Sequence, residues 1–174
     1  MKLLFKYLIG IVLLASGIWL GRCNWKSYQS KKETGNLIQH LQHLSFKSLP
    51  GNDVFIDGFN PQQATVIIYF HPECEHCQYE ASEIGNKPEE FEKTNLIMIT
   101  PDDSIPRIEA FALKYHLWKV DNLDILLDRT KQFKQYFGTA VVPSVFIYGA
   151  NKKLIRMYKG EIQINVILGS IHSG

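Results

Sequence analysis

Blocks of apolar residues along the chain predict strands and helices in alternation. Continuous apolar runs at residues 64–70 and 95–100 are typical of strands that are buried on both faces. Between and after them, apolar residues recur every three or four positions, which indicates amphipathic helices. A further run at 140–148 contains Pro143, and a proline favours the start of a strand over its interior. This alternation predicts an α/β domain with parallel strands joined by right-handed crossovers.

Shorter elements complete the pattern. Ser104 can cap a helix whose apolar stripe includes Ile105, Ile108 and Phe111. The other elements are a strand at Leu123–Leu127, a brief helix around Phe133–Phe137 that ends at Gly138, a strand at Leu154–Tyr158 and a closing helix at Glu161–Ile171.

Two elements are predicted before the first buried strand. Leu37, Ile38, Leu41 and Leu44 fall at helical spacing and predict a short amphipathic helix. The segments Ser45–Leu49 and Val54–Ile56, separated by a Pro-Gly-Asn turn, predict a β-hairpin.

The N-terminus predicts an export segment. Residues 3–20 are almost wholly apolar and follow Lys2, as in a secretory signal or an uncleaved signal anchor. A helix of this length spans roughly 27 Å, which is enough for a bilayer core. Small residues at 15–17 leave cleavage open, but the apolar run continues beyond them, so a retained anchor is favoured. The predicted divisions are an anchor at 1–21, a linker with the short amphipathic helix at 22–44, and one domain at 45–174.

Composition narrows the function classes. The chain has 174 residues, 45% of them hydrophobic, which suits one core of ordinary size. A net charge of +2 and dispersed lysines give no reason to expect nucleic-acid binding. Three cysteines are too few for the disulfide framework of a small secreted domain.

The most informative motif is Cys74-Glu75-His76-Cys77, directly after the first buried strand. Pro72 and the flanking glutamates suit the first turn of a helix. Backbone N–H groups at a helix N-terminus stabilise a thiolate, which makes Cys74 the attacking thiol. Cys77, one turn further on, can close a disulfide with it and resolve a mixed disulfide.

Other chemistries of this motif stay open. A structural zinc site needs four ligands, and Cys23 is the one further cysteine, although His71 and His76 offer nitrogens. Haem attachment needs a histidine directly after the second cysteine, where Gln78 stands. Arg22 before Cys23 argues against lipidation. Redox chemistry is favoured, with no metal and no cofactor other than the Cys74–Cys77 disulfide itself.

These residues resemble a known family. A strand, a C-x-x-C that opens a helix, a second strand and helix, and Val142-Pro143-Ser144 before a hairpin are similar to the thioredoxin-like fold. The membrane-anchored TlpA/ResA type, also called redoxin-domain proteins, is the more similar branch. The resemblance implies a three-layer α/β/α sandwich with a mixed central sheet, preceded by an N-terminal β-hairpin and a transmembrane signal anchor.

The resemblance also implies roles for residues around the cysteines. Glu80 matches a partly buried glutamate that moves protons to and from the cysteines. Pro143 matches a cis proline that faces the motif, and the backbone of Val142 pairs with the bound substrate. Glu75 and His76, between the cysteines, are expected to tune the redox potential.

The predicted function is an extracytoplasmic, membrane-tethered thiol–disulfide oxidoreductase that reduces disulfides of exported proteins, such as apocytochromes in cytochrome c biogenesis. Its expected partners are protein disulfides and a membrane-embedded electron donor. The resemblance places the domain on the periplasmic side of the inner membrane, as a single-pass monomer. The alternatives are a thiol peroxidase, although the Pro-x-x-x-Thr/Ser-x-x-Cys pattern is absent, and a metal-binding or metallochaperone module.

Overall fold

The structure of the chain, a computed structural model, describes residues 16, 18–22, 25 and 35–172. The chain forms two compact units, residues 1–36 and 37–174. In the first unit, residues 18–22 are helical. Across the described residues, no helix combines the length and the apolar character that a bilayer crossing requires. Most of the anchor predicted at 3–20 lies outside the described residues, as does Cys23.

The second unit contains one seven-stranded sheet. The strands are β1 (Ser45–Ser48), β2 (Asp53–Phe55), β3 (Ala64–Tyr69), β4 (Thr94–Thr100), β5 (Leu123–Leu127), β6 (Ser144–Tyr148) and β7 (Leu154–Lys159). The helices are α1 (Glu75–Gly85), α2 (Ile105–Lys114), α3 (Phe133–Phe137) and α4 (Ile164–His172), with 3₁₀ turns at Pro88–Phe91 and Leu117–Lys119. The strand predictions at 64–70, 95–100 and 123–127 are therefore confirmed to within one residue.

The strand order across the sheet is β2-β1-β5-β4-β3-β6-β7. The three central strands β5, β4 and β3 are parallel, and β1, β2, β6 and β7 pair antiparallel with their neighbours. The sheet is therefore mixed. The segments 45–48 and 53–55 form an antiparallel pair, and β1 also joins the main sheet beside β5.

Each central strand contributes alternate side chains to two hydrophobic clusters, because successive strand residues point to opposite faces of a sheet. In β3, Val66 and Ile68 pack with residues of α1, α2 and α4. Ile67 and Tyr69 pack on the other face with α3 and with the segment before β1. The result is three layers, with helices on both faces of the sheet.

The prediction of an amphipathic helix over Leu37–Leu44 is wrong for every residue after Leu37. Helical residues end at 37, residues 38 and 39 form a turn, and His40 makes an isolated antiparallel bridge with Lys153. The Leu41 N–H donates to the Lys152 carbonyl at 2.8 Å, and the Leu154 N–H donates to the carbonyl of Gln39 at 2.9 Å. Leu41 and Leu44 are still buried, so the apolar spacing reports burial correctly. Backbone pairing with the turn before β7 replaces the helical hydrogen bonds.

Candidate active site

The cysteine motif lies where β3 leads into α1. The helix begins at Glu75, and Cys74 occupies its N-cap position with an extended backbone. Pro72 therefore precedes the helix instead of forming its first turn, because the Cys74 N–H donates to the His71 carbonyl at 3.0 Å and closes a separate turn. Both cysteines are free thiols; Cys74 is half-buried and Cys77 is 1% exposed. Only the first cysteine is therefore open to a large partner.

The loop before β6 lies against this first cysteine. The Cys74 Sγ is 3.8 Å from the carbonyl oxygen of Val142, and the Val142–Pro143 peptide bond is cis, as the resemblance implies. Val141, the residue before, is exposed. The fold thus brings Val142 and Pro143 together with Cys74, and it leaves backbone and apolar surface beside the sulfur.

Burial strongly raises the pKa of the Cys77 thiol. A hydrogen bond with Cys74 raises this pKa further, and a backbone hydrogen bond from His71 opposes the rise. Cys77 is accordingly a protonated thiol at neutral pH, and it needs a base before it can attack another sulfur.

Glu80 is the buried carboxyl one turn along α1 from Cys77. It is 3% exposed, its Oε1 accepts the backbone N–H of Ile162 at 3.0 Å, and its Oε2 has no hydrogen-bond partner among the described residues. Burial raises the pKa of Glu80 to about 7, against the lowering effect of the Ile162 N–H. Glu161 raises this pKa and His76 lowers it. A carboxyl in this range can exchange protons near neutral pH.

The two residues between the cysteines, Glu75 and His76, are exposed. The His76 Nδ1 donates to Glu161 Oε2 at 2.6 Å, and its side chain is 69% exposed. Glu75 is exposed and makes no side-chain hydrogen bond or ion pair within the part of the chain described. The influence of Glu75 and His76 on the redox potential stays a prediction. Glu161 is 85 residues from His76, so local spacing gives no signal of this contact.

A second cluster that the sequence reasoning missed holds the loop before Cys74. Arg107 on α2 donates to both carboxylate oxygens of Asp102, at 2.6 and 3.1 Å, and to Glu73 at 2.9 Å. Burial alone would raise the pKa of Asp102, but hydrogen bonds from Arg107 and the Ser104 N–H outweigh it and lower the pKa. Because Asp102 follows β4, next to the end of β3 in a parallel sheet, its position after the strand is the signal that predicts this proximity.

No group of three or more His, Cys, Asp or Glu side chains within the described residues is arranged to hold a metal ion. The metallochaperone alternative stays a prediction that metal retention after purification tests.

A family model gives one comparison with known proteins. The AhpC/TSA family model matches residues 39–157, which include both cysteines, Glu80 and Pro143. No curated protein matches the chain.

Solved structures give the other comparison. MTB DsbF, captured in mixed oxidised and reduced forms, is 19% identical with a TM-score of 0.65, over 79% of this chain and 96% of that one. A secreted Mycobacterium tuberculosis disulfide oxidoreductase homologous to E. coli DsbE is 15% identical with a TM-score of 0.64, over 76% of this chain and 96% of that one. StoA from Bacillus subtilis is 14% identical with a TM-score of 0.59, over 76% of this chain and 98% of that one. The fold is thioredoxin-like.

Proposed function

The chain belongs to the AhpC/TSA family, and on that basis we propose that it is a thiol–disulfide oxidoreductase that reduces disulfide bonds in other proteins. One observation carries the proposal: a half-buried thiol, Cys74, lies 3.8 Å from the Val142 carbonyl, while Cys77 is buried behind it beside the carboxyl of Glu80. In this proposal Cys74 is the attacking sulfur, Cys77 the resolving sulfur and Glu80 the base.

The first step uses Cys74. Its thiolate attacks one sulfur of the partner's disulfide, forms a mixed disulfide and releases the partner's other sulfur, which takes up a proton. Cys74 stands at the N-cap of α1, the end of the helix that carries the positive partial charge of the helix dipole. The backbone of Val142, in the loop before β6, would offer hydrogen bonds to an extended segment of the partner.

The second step uses Cys77 and Glu80. Glu80 accepts the proton of the Cys77 thiol, and the resulting thiolate attacks Cys74 Sγ and releases the partner's remaining sulfur. The products are a reduced partner and a Cys74–Cys77 disulfide, so two electrons pass from this chain to the partner. Glu80, with a pKa of about 7, then returns its proton to solvent or to the departing thiolate.

The cellular setting is part of the proposal. The Lys-led apolar residues 3–20 support a single-pass anchor in the inner membrane, with the domain on the periplasmic side. There the chain would act as a monomer on exported proteins such as apocytochromes. A membrane-embedded electron donor would reduce the Cys74–Cys77 disulfide after each turnover.

Peroxide reduction by the same thiols is a second candidate, because the AhpC/TSA match is compatible with it. The sequence around Cys74 weighs against it. Peroxiredoxins resemble one another in a Pro-x-x-x-Thr/Ser-x-x-Cys pattern, whereas here Pro72 stands only two residues before Cys74.

Insulin reduction and peroxide consumption, measured on the same purified protein, test the proposal. We expect wild type and the matched control Cys23→Ser to reduce insulin, and Cys74→Ser to lose this activity. Full insulin reduction by Cys74→Ser would refute the proposal. Fast peroxide consumption without insulin reduction would support the peroxidase instead.

A further inference from the structure

The turn between β7 and α4, residues 160–163, contacts both the loop that contains Pro143 and the carboxyl of Glu80. The Gly160 N–H donates to the Pro143 carbonyl at 2.9 Å, which ties the turn to the loop beside Cys74. The Ile162 N–H donates to Glu80 Oε1 at 3.0 Å, which ties it to the buried carboxyl. Gly160 has φ +93°, a conformation that favours glycine, so the chain can bend sharply between these contacts.

A side chain of the same turn adds a third contact. Glu161 Oε2 accepts a hydrogen bond from His76 Nδ1 at 2.6 Å, and the Glu161 side chain is 39% exposed. His76 and Glu80 are four residues apart on α1, so their side chains lie on one face of the helix, one turn apart. Two consecutive residues of the turn reach these two side chains. The Glu161 side chain contacts His76, and the N–H of the next residue, Ile162, donates to Glu80.

Two neighbouring residues of this turn act on the pKa of Glu80 in opposite directions. The charge of Glu161 raises it, whereas the hydrogen bond from the Ile162 N–H lowers it more strongly. The other charged or titratable groups that act on Glu80 are His76, which lowers its pKa, and the thiol of Cys77, whose own pKa is raised by the charge of Glu80.

We propose that Glu161 is a positioning residue which, through its contact with His76, holds the backbone N–H of Ile162 against the buried carboxyl of Glu80. The inference deepens the proposed function and rests on it for its meaning, because Glu80 is the base in the resolving step. Glu161 itself touches neither sulfur nor substrate in this scheme.

Two substitutions separate position from charge. Glu161→Gln removes the charge but keeps an oxygen that can accept the His76 N–H, whereas Glu161→Ala removes both. Hydrogen exchange of the Ile162 amide reports its position, and the carboxyl carbon resonance of Glu80, followed against pH, reports its titration.

In Glu161→Ala we expect faster exchange at Ile162 and a Glu80 midpoint shifted upward. In Glu161→Gln we expect protected exchange at Ile162 and a midpoint shifted downward. Glu83→Ala is the matched control, since Glu83 is a carboxylate on the same helix that pairs with Lys87 at 3.7 Å. It is expected to leave both readouts unchanged.

Unchanged exchange at Ile162 in Glu161→Ala, or a downward shift of the midpoint in both variants, would overturn the inference, because Glu161 would then act as a charge alone. Faster exchange throughout β3 and β4 in Glu161→Ala would also overturn it, since the effect would be global destabilisation. These readouts need no turnover. A failure of the proposed function, seen as loss of insulin reduction by wild type, is therefore distinguishable from a failure of this inference.

Discussion

Cys74 Sγ and the carbonyl oxygen of Val142 lie 3.8 Å apart although 68 residues separate them in the chain. The contact exists because β3 and β6 are antiparallel neighbours, with Tyr69 paired to Ser144. The C-terminal end of β3 and the N-terminal end of β6 therefore lie side by side. Cys74 and the loop before β6 therefore form one surface at this end of the two strands.

The two cysteines should differ sharply in their reaction with alkylating reagents. Cys74 is half-buried, whereas Cys77 is 1% exposed and burial raises its thiol pKa. In native, reduced Cys23→Ser protein treated with iodoacetamide at pH 8, we expect Cys74 to react faster by roughly tenfold or more. Peptide mapping by mass spectrometry measures both rates. Equal labelling of the two thiols would contradict the assigned roles.

Glu80→Gln should become more stable than wild type as the pH rises. The folded-state pKa of about 7 exceeds the ordinary value of 4.5, so the native state holds a proton that the unfolded state has lost between these values. Wild type therefore loses stability through this window. We expect the advantage of Glu80→Gln over wild type to grow by up to about 3 kcal/mol, at roughly 1.4 kcal/mol per pH unit.

Urea unfolding of wild type and Glu80→Gln at intervals from pH 4.5 to 8 measures this difference. Parallel stability profiles for the two proteins would show that the Glu80 carboxyl titrates normally in the folded state.

Gly85 should not tolerate a side chain. A Cβ built at this position lies 1.8 Å from the carbonyl oxygen of Tyr115, so the backbone would have to move. We expect Gly85→Ala to destabilise the fold by about 1–3 kcal/mol or more in urea unfolding. Gly169→Ala in α4 is the matched control, because a Cβ built there has no atom within 4 Å other than those of its own stretch of helix. This control should be neutral or stabilising by up to about 1 kcal/mol, and equal effects of both would refute the prediction.

Asp102 should make stability sensitive to acid. Its pKa is lowered in the folded state, where Arg107 and the Ser104 N–H bind the carboxylate, so the unfolded state takes up the proton first. Wild type should lose this contribution as the pH falls below the ordinary value of 3.8. We expect Asp102→Asn to show a shallower loss of unfolding free energy from pH 4 to pH 2. An equally steep loss would contradict the prediction.

The central strands were predictable because they are buried on both faces. In β3 and β4 nearly every side chain is buried, so continuous apolar runs at these positions indicate strands directly. The segment at 37–44 was not predictable in the same way. Its apolar spacing fits a helix, but its backbone forms hydrogen bonds with Lys152 and Leu154, more than a hundred residues away.

The residues of the candidate active site also differ in how far the sequence alone predicts them. Cys74, Cys77 and Glu80 lie on one element, and local spacing places them together. Arg107 and Glu161 reach the site from elements far along the chain. Only the topology of the sheet and the turn before α4 bring them there, so no local pattern identifies them.

Mixed-disulfide trapping tests the central claim most directly. Cys77→Ser in a Cys23→Ser background, incubated with oxidised insulin, should accumulate a covalent adduct, because the resolving sulfur is missing. Mass spectrometry is expected to locate the adduct at Cys74, and the further substitution Cys74→Ser should abolish it. If Cys77→Ser forms no adduct through Cys74, the account of disulfide exchange at this site is wrong.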